Sequence, residues 1–258
     1  MTTIAIVYHS GFGHTARVAE HVAQGAGSVP GVAAKLFKAD DLTSPEQGPW
    51  AELSSADAII FGAPTYMGSA SATMKQFMDA SSKVWFTQGW KDKIAGGFTN
   101  SGSWSGDKLA TLTQFAILAA QHGMIWASAG MMPGNNSSKA SPEDVNRVGS
   151  YIGLMTQANV DEGPDTAPPA SDRRTAELYG KRIAERLCDN APLGRPSATS
   201  RLLTAFRWEP GLSGHFQLPA RSLHDSRRID DAILRFHHAF IAFVSPRTPR
   251  IAITRVIL

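Results

Sequence analysis

The stretch "TIAIVYHSGFGHTARVAEHV", residues 3–22, joins an apolar, β-branched run to a helical pattern through small and hydroxylated residues. The run Thr3–Tyr8 is typical of a buried parallel strand. Apolar or small residues then recur at helical spacing over Thr15–Gln24. The corner between them, Tyr8–Thr15, therefore places hydroxyls and a flexible backbone directly before the unpaired amides of a helix start.

The following 165 or so residues repeat this alternation of strand and helix, roughly the length of one domain. Short hydrophobic strands separated by helices predict an α/β fold, with a doubly wound, five-stranded parallel sheet in the order 2-1-3-4-5. The further strand candidates are Val32–Phe37, Ala58–Phe61, Ile94–Thr99 and Met124–Ser128. Helical patterns follow at residues 72–85, at Leu109–Gln121, and from a cap at Ser171 or Asp172 to about Leu187.

Three loops follow the carboxyl ends of predicted strands: the first loop (Tyr8–Thr15), the second loop (Pro64–Ser69) and the third loop (Asn100–Gly106). In a sheet of this order, ligands bind beyond those ends, where the winding reverses. A helix start such as that after the first loop favours an anion by roughly 0.3–1 kcal/mol. The first loop lacks both the P-loop lysine and the G-x-G-x-x-G pattern, so a simple tight turn is the alternative interpretation.

The composition excludes several classes of protein. The chain has 258 residues and a single cysteine, Cys188, which excludes a disulfide framework and a thiolate metal cluster. We find no signal-peptide pattern and no apolar run of about 18 residues. The sequence therefore predicts a cytoplasmic protein with no metal and no stable membrane insertion.

The net charge differs in sign between two parts of the chain. Residues 1–187 carry 15 Lys and Arg against 17 Asp and Glu, a net of −2, whereas residues 188–258 carry ten Arg against five acidic residues, a net of +5. Because the basic excess belongs to the second part, it does not predict a nucleic-acid partner for the first. The second part lacks sustained periodicity and is predicted to be an irregular, poorly ordered extension.

Two segments of this Arg-rich extension have some pattern. Asp230–Val244 is a candidate amphipathic helix, and residues 250–258 are a candidate strand. One interpretation is an appendage that binds a membrane surface or a partner. The abrupt loss of Lys favours the other, a dispensable extension.

The corner of residues 3–22 resembles the flavodoxin signature at Ile6, Val7, Tyr8, Ser10, Gly13, Thr15, Ala19 and Val22. Three more motifs occur in the matching order: "APTYMGSASATMKQFMD" (63–79), "NSGSWSGDK" (100–108) and "QHGM" (121–124). Residues 1–187 thus resemble the flavodoxin-like NAD(P)H-dependent oxidoreductases of the WrbA quinone-reductase type. This resemblance implies a flavodoxin-like, FMN-binding domain over residues 1–187.

The resemblance also implies which residues contact the cofactor. The first loop would bind the FMN phosphate, the second would lie beside the isoalloxazine ring, and the third would close the other side and the ribityl chain. These residues are Ser10, Gly11, Phe12, Gly13, His14, Thr15, Pro64, Thr65, Tyr66, Met67, Gly68, Asn100, Ser101, Gly102, Ser103 and Trp104. His122 would lie near the pyrimidine end of the ring, as the catalytic residue that orients or protonates the acceptor.

Several of these residues have simpler interpretations. Tyr66 and Trp104 are also explained as ordinary, partly buried aromatics, and His122 as a residue that caps a helix end. Lys108 is interpreted as a solvated helix charge. The Gly- and Pro-rich segment Met131–Ser171, in which "SPEDV" could open a short helix, is predicted to cap the cofactor site or to pack on a neighbouring subunit.

The resemblance implies an NAD(P)H:quinone oxidoreductase with a ping-pong mechanism, assembled as a homodimer or homotetramer. An alternative is a flavodoxin-type electron carrier between redox proteins. Such carriers are usually strongly acidic, and a net charge of −2 over residues 1–187 favours the enzyme. A second alternative is a non-catalytic regulatory module, with or without FMN.

Overall fold

The computed structural model describes residues 1–189. The predictions made for the Arg-rich extension, including its helix at Asp230–Val244 and its strand at residues 250–258, lie outside the described residues. No helix in the described part is long and apolar enough to cross a membrane.

Strands and helices alternate along the described chain, as the sequence predicts. The strands are β1 (Thr2–Tyr8), β2 (Val32–Lys38), β3 (Ala58–Tyr66), β4 (Ser69–Ala70), β5 (Ile94–Ser101), β6 (Ile125–Trp126) and β7 (Leu154–Gln157). The helices are α1 (His14–Gly27), α2 (Trp50–Ser55), α3 (Ala72–Ala80), α4 (Ser82–Phe86), α5 (Lys108–Gln121) and α6 (Ala170–Asp189), with a 3₁₀ turn at Ala39–Leu42. The helix predicted at residues 72–85 is therefore two shorter helices, α3 and α4.

The doubly wound parallel sheet is confirmed, in the order β2-β1-β3-β5, with its fifth position filled twice. β6 pairs with Ile94 and Ala95 at the start of β5, and β7 pairs with the stretch Phe98–Ser101 at its end. In the interval, the buried Tyr179 hydroxyl accepts a hydrogen bond from the Gly97 amide (3.0 Å) and donates one to the Ala127 carbonyl (2.9 Å). A side chain of α6 thus links β5 to the residue that follows β6, in the interval before β7 begins.

Alternate residues of each strand face opposite layers of helices, because side chains in a strand point to the two faces in turn. Ala5 and Val7 pack in a core with Phe77 of α3 and Phe115 of α5. Their neighbours Ile4 and Ile6 pack in a second core, which α1 and α6 close from the other side. The central strands β1, β3 and β5 are buried on both faces, which explains their nearly unbroken hydrophobic sequence, whereas the edge strand β2 is partly exposed.

Two expectations for the Gly- and Pro-rich segment are wrong. Residues 141–148 form turns and no helix, and residues 154–157, predicted as irregular, form strand β7. The predicted cap of α6 is also wrong, since the helix begins at Ala170 and the Asp172 carboxylate binds Arg147 and the Gln157 amide instead.

Candidate functional site

The three loops lie together at the carboxyl edge of the sheet, around two adjoining cavities. The cavities measure about 420 and 550 Å³, within the range of small-molecule sites. Residues that line both are Thr65, Ser101, Gly102 and Val160. The smaller cavity is further lined by Ser10, Phe12, His14, Thr15, Pro64, Tyr66 and Asn100, and the larger by Met67, Gly68 and Ser103. The structure thus brings most of the predicted cofactor residues to one place.

The first loop is shaped for an anion at the start of α1. Gly13 precedes the helix at a φ of 88°, in the left-handed region, where a side chain would also meet the Pro164 ring. The Ser10 Oγ accepts a hydrogen bond from the Ala16 amide (3.1 Å). Because that bond occupies a lone pair and leaves the hydroxyl hydrogen free, Ser10 can still donate to a ligand. The other amides of the first helical turn have no partner within the helix.

The first and second loops touch across the smaller cavity. Gly11 has no side chain, and a Cβ there would lie 2.5 Å from the Tyr66 hydroxyl. The Tyr66 ring meets the Phe12 ring edge to face, with centroids 6.3 Å apart. Burial of its hydroxyl is the main cause that raises the Tyr66 pKa, so Tyr66 is a neutral hydrogen-bonding group at pH 7. Tyr66 and the Pro164 ring therefore leave no room for a side chain at Gly11 and Gly13, although neither glycine lines a cavity itself.

A chain of buried hydroxyls fixes the second loop to β5 and α5. The Thr99 Oγ1 donates to the Ala63 carbonyl (2.7 Å), so the Thr65 Oγ1, 2.8 Å away, must donate to Thr99. The Thr111 Oγ1 of α5 then donates to Thr65 across another 2.8 Å. The direction of all three bonds follows from one carbonyl acceptor, and the chain makes the junction of the two cavities rigid.

Asn100 presents a free donor to the smaller cavity. The residue is only 5% exposed, and its Oδ1 accepts a hydrogen bond from Thr156 (2.8 Å). Its Nδ2 has no protein partner among the described residues and is open to the cavity that Asn100 lines. It can therefore donate to a ligand acceptor there.

The third loop departs from the sequence interpretation at two residues. Lys108, interpreted as solvated, is fully buried, and its Nζ donates to the carbonyl oxygens of Ser103 (2.6 Å) and Trp104 (2.9 Å). The Trp104 ring lines a different cavity, and the Arg147 guanidinium carbon lies 4.5 Å from the ring centroid. The prediction that Trp104 closes the cofactor site is therefore wrong for its side chain, because Arg147 holds the ring.

A buried ion pair supports the third loop from below. Arg147 and Asp172 are 8% and 1% exposed, and their side chains bond at 2.7 Å. Asp172 also accepts from the Gln157 amide (2.8 Å), and the Gln157 Nε2 donates to the Gly102 carbonyl (2.9 Å). The loop is thus connected through β7 to the start of α6.

Besides Gly106 and Asp107 of the larger cavity, four rim residues that follow β7 were missed in the sequence. Ala158, Asn159, Val160 and Asp161 line one or both cavities. They directly follow β7, so recognising that strand would have placed them at the same edge as the three loops. This geometry agrees with the expectation that the segment Met131–Ser171 caps the site, while its packing on a neighbouring subunit stays a prediction.

His122 lies away from these cavities, so the prediction that it sits near the cofactor of the same chain is wrong. It follows the last residue of α5, whose 14 residues span about 21 Å from the third loop. There its ring packs on Trp90, 4.3 Å between centroids, and it lines a separate cavity with Met78 and Trp85. A helix that returns antiparallel to the strand before it ends at the opposite edge of the sheet.

The hydrogen bonds of His122 fix its tautomer. The Ser81 Oγ donates to the Met78 carbonyl (2.7 Å), so the His122 Nε2 must donate to Ser81 (2.9 Å). The buried Nδ1 is left as an acceptor without a partner among the described residues. Burial lowers the pKa of His122 to about 4, so the ring is neutral at pH 7.

This depressed pKa makes stability depend on pH. Between the unfolded pKa of 6.5 and the folded pKa of about 4, the unfolded chain binds a proton that the folded chain does not. The free energy of unfolding should therefore fall by about 3 kcal/mol from this group as the pH drops from 7 to 4. Urea unfolding at several pH values measures the fall, with His122→Gln as the control. An equal fall in both proteins would contradict this account.

The arrangement suits an organic anion with several hydrogen-bond acceptors. It combines a helix start, hydroxyl and amide donors, and two joined cavities of sufficient volume. No group of three or more His, Cys, Asp and Glu within residues 1–189 could hold a metal ion. The site offers donors that would bind and orient a cofactor, which would supply the redox chemistry.

Comparisons with known proteins agree with this geometry. Residues 13–136 match the family described as NADPH-dependent FMN reductase. Flavodoxin FldP of Pseudomonas aeruginosa is 42% identical over 184 residues, which cover 71% of this chain and 96% of that protein. An NAD(P)H dehydrogenase (quinone) of Geobacter sulfurreducens is 30% identical over 205 residues, covering 70% and 96%. The solved structure of a flavodoxin, WrbA-like protein from Agrobacterium tumefaciens is 42% identical, with a TM-score of 0.57 over 73% of this chain and 99% of that chain.

Proposed function

Since this chain belongs to the flavodoxin-like NAD(P)H-dependent oxidoreductases, we propose that it binds FMN in the two joined cavities and transfers two electrons from NAD(P)H to a quinone-type acceptor in a ping-pong cycle. The observation that carries the proposal is the meeting of three donor-rich loops around these cavities at the start of α1. The oligomeric assembly and the cytoplasmic location stay predictions.

Each loop has a distinct task in this proposal. Ser10, Thr15 and the first amides of α1 bind the phosphate, since a helix start carries partial positive charge. The second loop lies along the ring, held in place by the hydroxyl chain through Thr65. Asn100 donates its unpaired Nδ2 hydrogens to a cofactor oxygen.

FMN, when bound, supplies the redox chemistry by taking a hydride from NAD(P)H and passing two electrons to the acceptor. The residues of this chain orient the ring, exclude water from one side of it and present N–H groups where negative charge develops. No side chain of the described part is required as a nucleophile. His122 is not included, because within one chain it lies at the opposite edge of the sheet.

A flavodoxin-type electron carrier is the second candidate function. The relative FldP is named a flavodoxin and is 42% identical to this chain. A carrier needs a partner reductase, whereas the proposed enzyme accepts a hydride from NAD(P)H directly. The two functions therefore differ in one measurable property.

The deciding experiment follows the flavin absorbance of the purified full chain, loaded with FMN, after NADH or NADPH is added without oxygen. We expect bleaching within seconds, and recovery of the absorbance when benzoquinone follows. Bleaching that needs an added reductase would favour the carrier. A chain whose melting temperature does not change with saturating FMN would contradict both functions.

Phosphate binding by the first loop is tested with Ser10→Ala. A hydrogen bond to a charged group contributes about 1.5–3 kcal/mol, so we expect FMN to dissociate at least tenfold more readily. The matched control is Ser28→Ala at the other end of α1, where the Ser28 Oγ donates to the Gly25 carbonyl (2.7 Å). The two dissociation constants are measured by quenching of flavin fluorescence. Equal constants would exclude a phosphate contact by Ser10.

A further inference from the structure

Lys108 is a buried cation under the third loop that the proposed function leaves without a task. Its side chain has no exposed surface, although lysine is almost never fully buried unless it is paired. Its Nζ donates to three successive carbonyl oxygens, those of Ser103 (2.6 Å), Trp104 (2.9 Å) and Ser105 (3.4 Å). Three donors of an ammonium group are thus used on one turn of backbone.

The same loop is held at a fourth carbonyl. The Gln157 Nε2 donates to the Gly102 carbonyl, and Arg147 stacks on the Trp104 ring. Ser103, Gly106 and Asp107 line the larger cavity, whereas Lys108 does not. The carbonyl oxygens of residues 102–105 are therefore all bound to protein donors, and that of Ser103 also accepts from the Ser101 Oγ (3.1 Å). Carbonyl oxygens that are bound to protein donors in this way present less negative charge to a ligand.

The hydrogen bonds to these carbonyl oxygens change how strongly the larger cavity binds an anion. A carbonyl oxygen carries partial negative charge and repels an anion, whereas N–H groups and a nearby ammonium attract one. Reduction adds negative charge to the flavin ring, while the phosphate charge is unchanged. Binding these carbonyl oxygens to protein donors and adding a positive charge nearby therefore stabilises the bound reduced cofactor more than the bound oxidised one.

Resting on the proposed function, we propose that Lys108 is a positioning residue, which holds the carbonyl oxygens of the third loop away from FMN and so favours the reduced over the oxidised cofactor. The role belongs to the loop backbone and to the charge of Lys108, which has no direct contact with the cavity. Lys108 thereby sets how readily the cofactor accepts electrons from NAD(P)H.

The charge of Lys108 depends on its surroundings. Burial lowers its pKa to about 8, and of the charged groups that face it, Asp172 raises the pKa while Arg147 lowers it. Lys108 is therefore charged at pH 7 and loses its proton as the pH rises through about 8. The preference for reduced FMN should therefore fall as the pH rises through about 8.

The test compares Lys108→Met, which removes the charge and keeps an unbranched side chain, with Lys93→Met. Lys93 offers matched chemistry, since its Nζ donates to the carbonyl oxygens of Ser54 (2.7 Å) and Ala56, and it lies just before β5 at the opposite edge of the sheet. Dissociation constants of oxidised and reduced FMN are measured without oxygen for both variants and the unmodified chain. We expect the affinity ratio of reduced to oxidised FMN to fall at least tenfold in Lys108→Met, about 30 mV in midpoint potential, and to stay unchanged in Lys93→Met.

A purely structural role would weaken both forms of FMN equally, so an unchanged ratio in Lys108→Met overturns the proposal alone. An unmodified chain that binds no FMN overturns the proposed function and this inference together. If Lys108→Met does not fold, the unmodified chain decides the question through the same ratio between pH 7 and pH 10. A ratio that falls above pH 8 supports the proposal, and a constant ratio overturns it.

Discussion

The Asp172→Ala variant is expected to lose about 3–5 kcal/mol of its free energy of unfolding. The substitution leaves the Arg147 guanidinium buried, at 8% exposure, without its counter-charge. It also removes the acceptor of the Gln157 amide, which lies in the strand that carries the cavity rim. Urea unfolding, followed by circular dichroism at pH 7, measures the loss.

Two further variants separate the buried charge from the pair itself. Burial raises the pKa of Asp172 although Arg147 lowers it, so desolvation outweighs the attraction between the partners. We therefore expect the double variant Arg147→Met/Asp172→Leu to be less destabilised than Asp172→Ala alone. Asp165→Ala, which breaks an exposed pair with Arg17, should cost less than about 1 kcal/mol. A loss in Asp172→Ala as small as that of Asp165→Ala would contradict this account.

Gly180→Ala is expected to destabilise the protein by about 2–3 kcal/mol, although alanine is the better helix former. Gly180 lies where α6 crosses α1, and a Cβ there would sit 2.0 Å from the Val22 carbonyl oxygen. The reciprocal contact is as close, since a Cβ at Gly25 would lie 1.9 Å from the Glu177 carbonyl oxygen. Because both obstacles are backbone, the helices have to move apart.

The control for this crossing is Gly27→Ala in the last turn of α1. Its Cβ would meet nothing within 4 Å, so the gain in helix propensity should stabilise the protein by up to about 1 kcal/mol. Thermal and urea unfolding of the two variants should therefore shift in opposite directions. Shifts of the same sign and size would show that the two helices are not closely packed at Gly180.

The arrangement of the sheet was predictable because hydrophobic strands and helices alternate clearly from Thr3 to Gln121. The three loops were predictable for the same reason, since in a parallel sheet every loop after a strand lies at one edge. Strand β7 was missed because it has only four residues and lies within a Gly- and Pro-rich segment. Its strand conformation depends on pairing with β5, which no local pattern indicates.

Two side chains show where local rules fail. Lys108 occupies the first turn of a helix, where a charge is usually solvated, but the carbonyl oxygens that surround it come from a loop that folds back over it. His122 was placed by resemblance, although the length of α5 already indicates the opposite edge. The contacts of Lys108 could not be predicted from the sequence, because they depend on the fold of the loop. The position of His122 could have been predicted from the length of α5.

The divided last position of the sheet has a consequence for how this scaffold can diversify. One half, β6, pairs with the start of β5, and the other half, β7, pairs with its end and leads into residues 158–161 at the mouth of the cavities. The chain between the two halves carries Arg147, whose buried pair with Asp172 ties it to α6, so its length and conformation are constrained. Residues 158–161 follow β7, so substitutions there can change which acceptors enter the cavities without altering the pairing of β6.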